Sequence, residues 1–515
     1  MVKYVNPILP GFYPDPSICR VGDTFYLVNS SFTYYPGVPI HESKDLVHWR
    51  QIGNVLDRPE NLPLYDVYHS GGIYAPTIRY HEGTWYMITT NIGNLGNFIV
   101  TASKPEGPWS EPHLLEGADG IDPSLFFDDD GRCYYCGTKG RENGKYFGDN
   151  VIYIREIDLN TFRFIGEEYH AWYGALKEVE WPEGPHIYKK DGWYYVMIAE
   201  AGTGIDHAIT IARSRSLTEP FVGCKHNPVL THRHLGEAFP VSAVGHADLV
   251  DDEDGNWYAV CLAMRKCDGV TNTGRETFVC RVTWEDGWPV FNAGEGRLLE
   301  KGSLPLEEYR YNDGELGGYE ADMTLDMNAK ALPFKAVTLH TPDEGFAKIG
   351  DGKLSLICGT NPIRAEKFVS YVGFRITSMH YEAEADMEFV PEEGEEAGNV
   401  LLQSNFFHIR SVISRQNGKN YARVIYSNQE GEQDILCKEV TKTRYRFGIS
   451  QNAQSAVFTI DGEDASYSTG EIDTHALSTE IAGGFVGCTV GVFASANGKE
   501  SANRADFFAF SMKND

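Results

Sequence analysis

Five short runs repeat one pattern, in which a glycine or aspartate turn leads into an aromatic pair, or Cys-Tyr in one copy: Asp23-Thr-Phe-Tyr26, Gly83-Thr-Trp-Tyr86, Gly131-Arg-Cys-Tyr134, Asp191-Gly-Trp-Tyr194 and Gly255-Asn-Trp-Tyr258. Each run continues as an apolar segment, which is typical of a β-strand. A turn followed by a strand predicts that each run opens the second strand of a β-hairpin.

A second element lies just upstream of each run: Asp15-Pro-Ser-Ile18, Ala75-Pro-Thr-Ile78, Asp122-Pro-Ser-Leu125, Gly184-Pro-His-Ile187 and His246-Ala-Asp-Leu249. The steps between these copies are 60, 47, 62 and 62 residues. A unit of this length cannot bury both faces of its small sheet alone, so the copies must stack. Radial stacking predicts a five-bladed β-propeller. A linear β-solenoid is the alternative, but its repeats are usually shorter.

After Gly302 the repeat stops, and a different β-rich region follows, with a hairpin signal at Asn417-Gly418. The 515 residues also exceed what one hydrophobic core usually organises. The sequence therefore predicts an all-β chain with a five-bladed β-propeller catalytic domain over 1–302, a linker over 303–320, and a β-sandwich of jelly-roll or lectin-like type over 321–515.

The net charge of −28 disfavours nucleic acid and anionic membrane surfaces as partners and fits a neutral ligand such as a sugar. Neither a signal peptide nor a membrane span is evident, which predicts a cytoplasmic protein and leaves open secretion from a longer precursor. The sequence also leaves open whether the protein is a homo-oligomer.

Three sequence features resemble metal or redox sites, and we interpret each one otherwise. The ten cysteines lack the dense spacing of a disulfide scaffold, and Cys133 and Cys136 should face opposite sides of one strand. The segment Thr231-His-Arg-His234 with His226 lacks a carboxylate partner and is interpreted as a polar loop. The acidic segment Pro391-Glu-Glu-Gly-Glu-Glu396 is interpreted as a solvated loop.

The repeat aligns carboxylates from different blades. Because the first strand of each blade lines the propeller axis, residues at its start converge there. Asp15 opens the first copy, Asp122 opens the third, and Glu183 precedes the aligned Gly184 of the fourth, while the fifth contributes His246. An isolated Asp-Pro commonly starts a turn, but three carboxylates at one mouth would be desolvated and would repel one another, which indicates a functional site.

Two acidic groups across a cleft suit the cleavage of a glycosidic bond, because one protonates the leaving oxygen and the other activates water. A third carboxylate can raise the pKa of the proton donor. The residues alone do not decide which of the three is the acid and which is the base.

At these positions the sequence resembles glycoside hydrolase family 43, in its branch of β-xylosidases and α-L-arabinofuranosidases with a C-terminal β-sandwich. The matching motifs are Asn6-Pro-Ile-Leu-Pro-Gly-Phe-Tyr-Pro-Asp-Pro-Ser17, Gly71-Gly-Ile-Tyr-Ala-Pro-Thr77, Ile121-Asp-Pro-Ser124, Glu183-Gly-Pro-His186, Gly245-His-Ala-Asp-Leu249 and Gly274-Arg-Glu-Thr277. The resemblance implies an inverting hydrolase in which Asp15 is the general base, Glu183 is the general acid, and Asp122 orients the acid and raises its pKa.

The resemblance also implies a substrate pocket. Its residues would be Phe32, Tyr74 and Ala75 along the sugar, Arg275 on the substrate hydroxyls, His246 near an ion that is often calcium, and Phe485 reaching in from the second domain. No metal ligand is certain, and no cofactor is required for the chemistry. Arg275 as a surface salt bridge, and Phe32, Tyr74 or Phe485 as core residues, are the structural alternatives.

The implied activity is that of an exo-acting β-xylosidase that releases xylose from the non-reducing ends of β-1,4-xylooligosaccharides. An α-L-arabinofuranosidase or a bifunctional enzyme is the nearest alternative, because the two sugars present similarly arranged hydroxyls to one pocket. Tyr74, where many members of this family have tryptophan, leaves the preferred sugar open. A catalytically inactive, carbohydrate-binding propeller is an alternative of another class. Such a protein should lack one of the three carboxylates.

Overall fold

The structure is a computed structural model that describes residues 1–176, 178, 180–311, 322–463 and 465–514. These residues form five antiparallel sheets of four or five strands, one two-stranded sheet and two large sheets, which confirms the predicted five-bladed propeller and C-terminal β-sandwich. The innermost strands of the five small sheets contact one another around a central axis.

The blades follow one another in chain order, with these strands from the axis outward. Blade 1 has Ser17–Val21, Thr24–Val28, Gly37–Ser43 and Arg50–Leu56, and blade 2 has Thr77–His81, Thr84–Ile92, Gly96–Ala102 and His113–Leu114, with Gly72–Ile73 also on Thr84–Ile92. Blade 3 has Ile121–Phe127, Cys133–Gly140, Asn150–Asp158 and Arg163–Trp172. Blade 4 has Glu183–Lys190, Trp193–Glu200, Ala208–Ser214 and Val222–Gly223, with Leu230–Thr231 also on Ala208–Ser214, and blade 5 has Val241–Asp251, Trp257–Arg265, Glu276–Glu285 and Trp288–Phe291.

Apolar clusters fill the spaces between successive blades all the way around the ring. The repeated aromatic pair explains this arrangement, because neighbouring residues of a strand face opposite sides of the sheet. Phe25 packs between blades 5 and 1, for example, whereas Tyr26 packs between blades 1 and 2. Cys133 and Cys136 likewise belong to two different clusters, and all ten cysteines are free thiols.

In blade 4 the aromatic pair that is structurally equivalent to the pairs of the other blades lies one residue later than the aligned sequence runs indicate. Ile187, at the position of Ile18, pairs with Val196, whereas Ile18 pairs with Leu27. The residues equivalent to Phe25 and Tyr26 are therefore Tyr194 and Tyr195 rather than Trp193 and Tyr194. The shift arises because Asp191 and Gly192 together form the turn between the paired residues Lys190 and Trp193.

The ends of the propeller are joined by strand pairing. Val2–Val5 pairs with Lys301–Leu304, so a strand crosses the predicted boundary at Gly302. Within the predicted linker, the backbone N–H of Tyr309 donates to Asp45 (3.0 Å), and Arg50 lies over the Tyr311 ring. This part of the linker therefore packs against blade 1. The rest of the predicted linker, from residue 312 onward, lies outside the described residues.

The sandwich consists of two sheets around one apolar core. The first contains, in spatial order, Ala347–Gly350, Lys353–Ile357, Arg504–Asn514, His380–Glu388, Arg444–Asn452, Ser455–Gly462 and Ser466–Ser468, with Met323–Thr324 on Arg504–Asn514 and Ile472–Asp473 on Ser455–Gly462. The second contains Gly431–Val440, Lys419–Asn428, His408–Gln416, Glu396–Leu402, Thr489–Ser495, Val369–Arg375, Val337–Leu339 and Tyr34–Tyr35. The last of these strands belongs to the propeller, so the domains share a sheet.

Helices are few and short throughout the described ranges: the 3₁₀ turns Arg233–Leu235 and His475–Leu477, and the α-helix Thr479–Ala482. None of them has the length and apolar character needed to cross a membrane. The predicted hairpin at Asn417-Gly418 is confirmed, because it joins two paired strands of the second sandwich sheet.

Candidate active site

The repeat position that Asp15 occupies in blade 1 has an unusual backbone in four of the five blades. Asp15, Asp122 and His246 have φ values of 50°, 53° and 47°, and the equivalent Gly184 has 57°. Residues other than glycine rarely adopt this left-handed region, and such outliers concentrate at functional sites. In blades 3, 4 and 5 a register shift at this point marks a β-bulge, which redirects the side chains that follow it.

The one-residue offset of Glu183 has a steric cause. A Cβ atom at the aligned position, Gly184, would lie only 2.8 Å from Cε1 of His246. The position therefore has no room for a side chain, and the carboxylate of blade 4 comes from the preceding residue.

One cavity of about 310 Å³ lies at this end of the axis. All nine residues predicted for the site line it: Asp15, Phe32, Tyr74, Ala75, Asp122, Glu183, His246, Arg275 and Phe485. The remaining lining residues, which were not predicted from the sequence, are Tyr68, Ile121, Trp181, Gly202 and Thr203. Ile121 and Trp181 had a signal, since they lie one and two residues before nominated carboxylates. The other three had none.

Asp15 is arranged to be ionised. Burial by itself would raise its pKa, but Arg275 donates a hydrogen bond to Oδ1 (3.1 Å), the Ser30 hydroxyl donates to Oδ2 (2.5 Å), and His246 lies 3.8 Å away. Together these partners outweigh burial and hold the pKa of Asp15 below its usual range. At neutral pH Asp15 is therefore a carboxylate that can accept a proton.

Asp122 and Glu183 are arranged in the opposite way. Burial is the main cause that raises the pKa of Asp122 to about 6, and the charge of Asp15 adds to it, although the Gly184 N–H donates to Asp122 Oδ2 (3.1 Å). Burial also raises the pKa of Glu183 well above its usual range, followed by repulsion from Asp122 and Asp15. Glu183 therefore holds its proton most tightly of the three and can donate it.

Arg275 is a buried residue of the cavity and not a surface salt bridge, since it is only 4% exposed. Its guanidinium lies 5.5 Å from the ring centre of Phe32 and 5.3 Å from that of Phe485. Nη2 also donates to the carbonyl of Phe485 at 3.3 Å. Arg275 thus links the carboxylate of Asp15 to a loop of the sandwich.

Phe32, Tyr74 and Phe485 form one aromatic wall of the cavity. The Phe32 ring centre lies 5.3 Å from that of Tyr74 and 5.7 Å from that of Phe485, and the last two rings are 6.0 Å apart. Phe485 is only half-buried and precedes the strand Thr489–Ser495, so it is not a strand residue of the sandwich core. Ala75 is buried next to Tyr74 on the same side.

The loop that carries Phe485 requires small residues where it meets the propeller. A Cβ atom on Gly487 would lie 2.2 Å from the carbonyl oxygen of Thr273, and one on Gly484 would lie 2.4 Å from Ser70 Oγ. The backbone N–H of Phe485 donates to the same Ser70 oxygen (3.0 Å). These contacts hold the sandwich loop directly against the mouth of the propeller.

The surroundings of His246 do not suit a calcium ion held by protein ligands. Calcium takes six to eight oxygen ligands, but the carboxylate nearest to His246, Asp15, already binds Arg275 and Ser30. Across the described ranges, no group of three or more His, Cys, Asp and Glu side chains could hold a metal ion. An ion near His246 stays a prediction, and water would have to supply most of its ligands.

A polar hub joins four blades around the axis. Asp248 of blade 5 accepts hydrogen bonds from Ser17 of blade 1 (2.8 Å), Arg79 of blade 2 (2.9 Å) and Tyr188 of blade 4 (2.7 Å). Asp248 is fully buried, and burial opposes its charge, but Arg79 leads the interactions that lower its pKa well below the usual range. The charged pair therefore holds the blades together, and the repeated motif that contains Asp248 does not by itself predict this pair.

The histidine segment 231–234 and the acidic segment 391–396, neither of which was predicted to bind a metal, have structural explanations. His232 contacts the carbonyl of Val241 through Nδ1 (2.8 Å) and accepts from the Leu298 N–H through Nε2 (2.9 Å), which fits a polar structural role. The acidic segment is a solvated loop only in part. Glu392 and Glu393 are exposed in a turn, but Glu395 and Glu396 are buried, and Glu396 pairs with Arg410 at 3.1 Å.

Comparisons with known proteins agree with this architecture. Residues 4–289 match the family model described as Glycosyl hydrolases family 43, and residues 325–513 match the one described as Beta xylosidase C-terminal Concanavalin A-like domain. A xylosidase/arabinosidase of Butyrivibrio fibrisolvens is 46% identical over 100% of both chains. A non-reducing end alpha-L-arabinofuranosidase of Bacteroides ovatus is 37% identical over 99% of this chain and 94% of that protein. Among solved structures, a xylan beta-1,4-xylosidase from Bacillus halodurans has a TM-score of 0.90 at 30% identity, covering 99% of this chain and 100% of that one.

Proposed function

Because the chain belongs to glycosyl hydrolase family 43, we propose that it is an exo-acting, inverting β-xylosidase that releases xylose from the non-reducing ends of β-1,4-xylooligosaccharides. One observation carries the proposal. A carboxylate with a lowered pKa, Asp15, and a carboxylic acid with a raised pKa, Glu183, line the same cavity. This is the pair of protonation states that hydrolysis by direct displacement needs.

In the proposed reaction, Asp15 takes a proton from a water molecule while the water oxygen forms a bond to the anomeric carbon. Glu183 gives its proton to the glycosidic oxygen as the bond to the leaving sugar breaks. The anomeric configuration is inverted because water attacks from the side opposite to the leaving group. Proton exchange with solvent then restores both groups.

Asp122 and Arg275 act on these two groups. The negative charge of Asp122 helps to keep Glu183 protonated, and its Oδ2 accepts from the backbone N–H next to Glu183. Arg275 helps to keep Asp15 ionised. The guanidinium also faces the aromatic wall, where it can hold hydroxyl groups of the bound sugar.

The aromatic wall of the cavity supports an exo mode of attack. Phe32, Tyr74 and Phe485 wall off one side, and Phe485 comes from a different domain. A polysaccharide chain cannot pass through this wall, so only a chain end enters. The enzyme should therefore trim oligosaccharide ends and leave polymer interiors intact.

An α-L-arabinofuranosidase activity of the same site is the second candidate. Tyr74 places a hydroxyl at the mouth of the cavity, where it is hydrogen-bonded to the Tyr68 hydroxyl at 2.8 Å. Two of the similar proteins carry arabinosidase or arabinofuranosidase in their names. Arabinofuranose and xylopyranose present similarly arranged hydroxyls to one pocket.

The test is side-by-side hydrolysis of nitrophenyl β-D-xylopyranoside and nitrophenyl α-L-arabinofuranoside, with proton NMR of the xyloside reaction. We expect faster turnover of the xyloside and α-xylose as the first product. Preference for the arabinofuranoside would support the second candidate. Turnover of neither, or β-xylose as the first product, would contradict the proposal.

A further inference from the structure

Residues of blades 3 and 4 line another part of the cavity, and Trp181, in the segment between these blades, is one of its lining side chains. Trp181 lies two residues before Glu183, the group that protonates the leaving oxygen in the proposed function. Any sugar attached to that oxygen must therefore lie close to Glu183, on the Trp181 side.

Trp181 is fixed in place by two glycines. Its backbone N–H donates to the carbonyl of Gly148 at 2.8 Å. A Cβ atom on Gly148 would lie 3.1 Å from the indole Nε1, and one on Gly202 would lie 3.1 Å from Cε3. Both contacts are tighter than ordinary packing, so the indole fits between two backbones that side chains would push apart.

Phe147 stands next to this indole and is exposed. The two ring centres are 5.4 Å apart, with an angle of 87° between the ring planes. Phe147 is 79% exposed, more than any other large hydrophobic residue in the described part of the chain. A scattered exposed phenyl ring needs no explanation, but this one extends the lining of a catalytic cavity outward.

The hairpin that carries Phe147 is braced. It connects the strands Cys133–Gly140 and Asn150–Asp158, and the Arg141 N–H donates to the Asp149 carbonyl at 3.0 Å. Arg141 also pairs with the Asp149 carboxylate (3.0 Å), which accepts in turn from the Lys145 N–H (2.8 Å). The exposed ring is thus held beside the mouth by a supported turn.

We propose that Phe147 and Trp181 form the binding platform for the leaving-group sugar, with Phe147 determining how strongly a xylose unit is preferred there. The apolar face of a pyranose can lie against these rings, as sugars do on aromatic side chains. Free solvent on the outer side of Phe147 leaves space for further units of an oligosaccharide. This inference rests on the proposed function and names its preferred leaving group.

The test compares xylobiose, whose leaving group is a sugar, with methyl β-D-xylopyranoside, whose leaving group is too small to reach Phe147. In Phe147→Ala, the ratio of kcat/KM for xylobiose to that for the methyl xyloside should fall roughly three- to tenfold, as expected for one aromatic contact. The fall should come mainly from a higher KM for xylobiose. Phe147→Tyr should keep the ratio near that of the wild type.

Phe334→Ala is the matched control, because Phe334 is also an exposed phenyl ring, at 55%, and does not line the cavity. Its ratio should equal that of the wild type. An unchanged ratio in a folded Phe147→Ala variant, verified by circular dichroism, would overturn the inference while leaving the proposed function intact. A wild-type protein that hydrolyses neither xyloside would instead refute the proposed function, and the inference with it.

Discussion

The propeller and the sandwich contrast in what they place at their centres. The propeller puts its apolar clusters between the blades and lines its axis with charge, from the three carboxylates at the mouth to Asp248 and Arg79. The sandwich has an apolar core between its sheets, with Phe447 and Phe458 fully buried there. Radial stacking thus frees the centre of a fold for chemistry, whereas sheet-on-sheet packing fills it.

The sandwich contributes to the site through the loop that carries Phe485 and through one face of its second sheet. One face of its second sheet packs on Phe12, Phe32 and Tyr34 of the propeller, so that face is not free to bind a sugar as a separate module would. The propeller strand Tyr34–Tyr35 also pairs with Val337–Leu339. Because Phe32 lies two residues before this shared strand, the sandwich both supplies Phe485 and positions Phe32.

The largest expected effect is the loss of the sandwich. A chain that ends at residue 311 keeps the pairing of Val2–Val5 with Lys301–Leu304 but exposes Phe12, Phe32 and Tyr34, which are buried in the intact protein. We expect no measurable hydrolysis and reduced solubility, assayed on nitrophenyl β-D-xylopyranoside after size-exclusion chromatography. A folded, fully active propeller would show that the domains are independent.

A point substitution at the domain contact tests the same dependence in the intact chain. Gly487→Ala places a Cβ atom against the Thr273 carbonyl, whereas Gly470→Ala, also in the sandwich, meets nothing within 4 Å. We expect a lower kcat/KM in the first variant and wild-type kinetics in the second. Equal kinetics would indicate that the loop position does not affect catalysis.

Removal of either proton-transfer group should be the next largest effect, and it lies wholly in the propeller. Asp15→Ala and Glu183→Ala should each lower kcat by roughly 10²- to 10⁴-fold without unfolding the protein. A dinitrophenyl xyloside should restore much of the activity of Glu183→Ala, because its leaving group needs little protonation, but not that of Asp15→Ala. Equal recovery of both variants would contradict the assigned roles.

The contrast between the domains also separates what the sequence could predict from what it could not. The propeller repeats two elements five times, so even weak local signals reinforce one another and place Asp15, Asp122 and Glu183 together. Tyr34–Tyr35 has no such support, because its partner lies about 300 residues away and a two-residue strand has no periodicity.

Positions set by tertiary contact were also beyond sequence reasoning. The one-residue displacement in blade 4 depends on which residues form a turn. Glu395 and Glu396 look like a solvated acidic run, but side chains distant in the sequence, such as Ser501 and Arg410, bind and bury them. Local composition does not contain that information.

Two phenylalanines of the sandwich should give opposite results. Phe458→Ala removes a fully buried core ring and should lower the free energy of unfolding by about 3 to 5 kcal/mol, with little change in kinetics at low temperature. Phe485→Ala should lower kcat/KM roughly three- to tenfold, with a smaller loss of stability. Urea denaturation and steady-state kinetics measure both. Unchanged kinetics in a folded Phe485→Ala variant would remove Phe485 from the pocket wall.

The smallest expected effect is a change in pH dependence within the propeller, produced by Asp122→Asn. The asparagine oxygen can still accept from the Gly184 N–H, but the negative charge that helps to raise the pKa of Glu183 is gone. Because Glu183 must be protonated to act, activity is lost as the pH rises through its pKa. A lower pKa therefore moves the alkaline limb of kcat/KM to lower pH, in addition to any loss of rate. The acidic limb follows Asp15, which must be ionised, and should not move upward, since removing a neighbouring negative charge lowers the pKa of a carboxyl group.

Asp128→Asn is the matched control, because Asp128 directly follows the innermost strand of the same blade but binds Lys189 and Tyr194 instead of facing the cavity. Its pH profile should coincide with that of the wild type. An alkaline limb that stays in place in Asp122→Asn would show that the charge of Asp122 does not set the protonation of the acid.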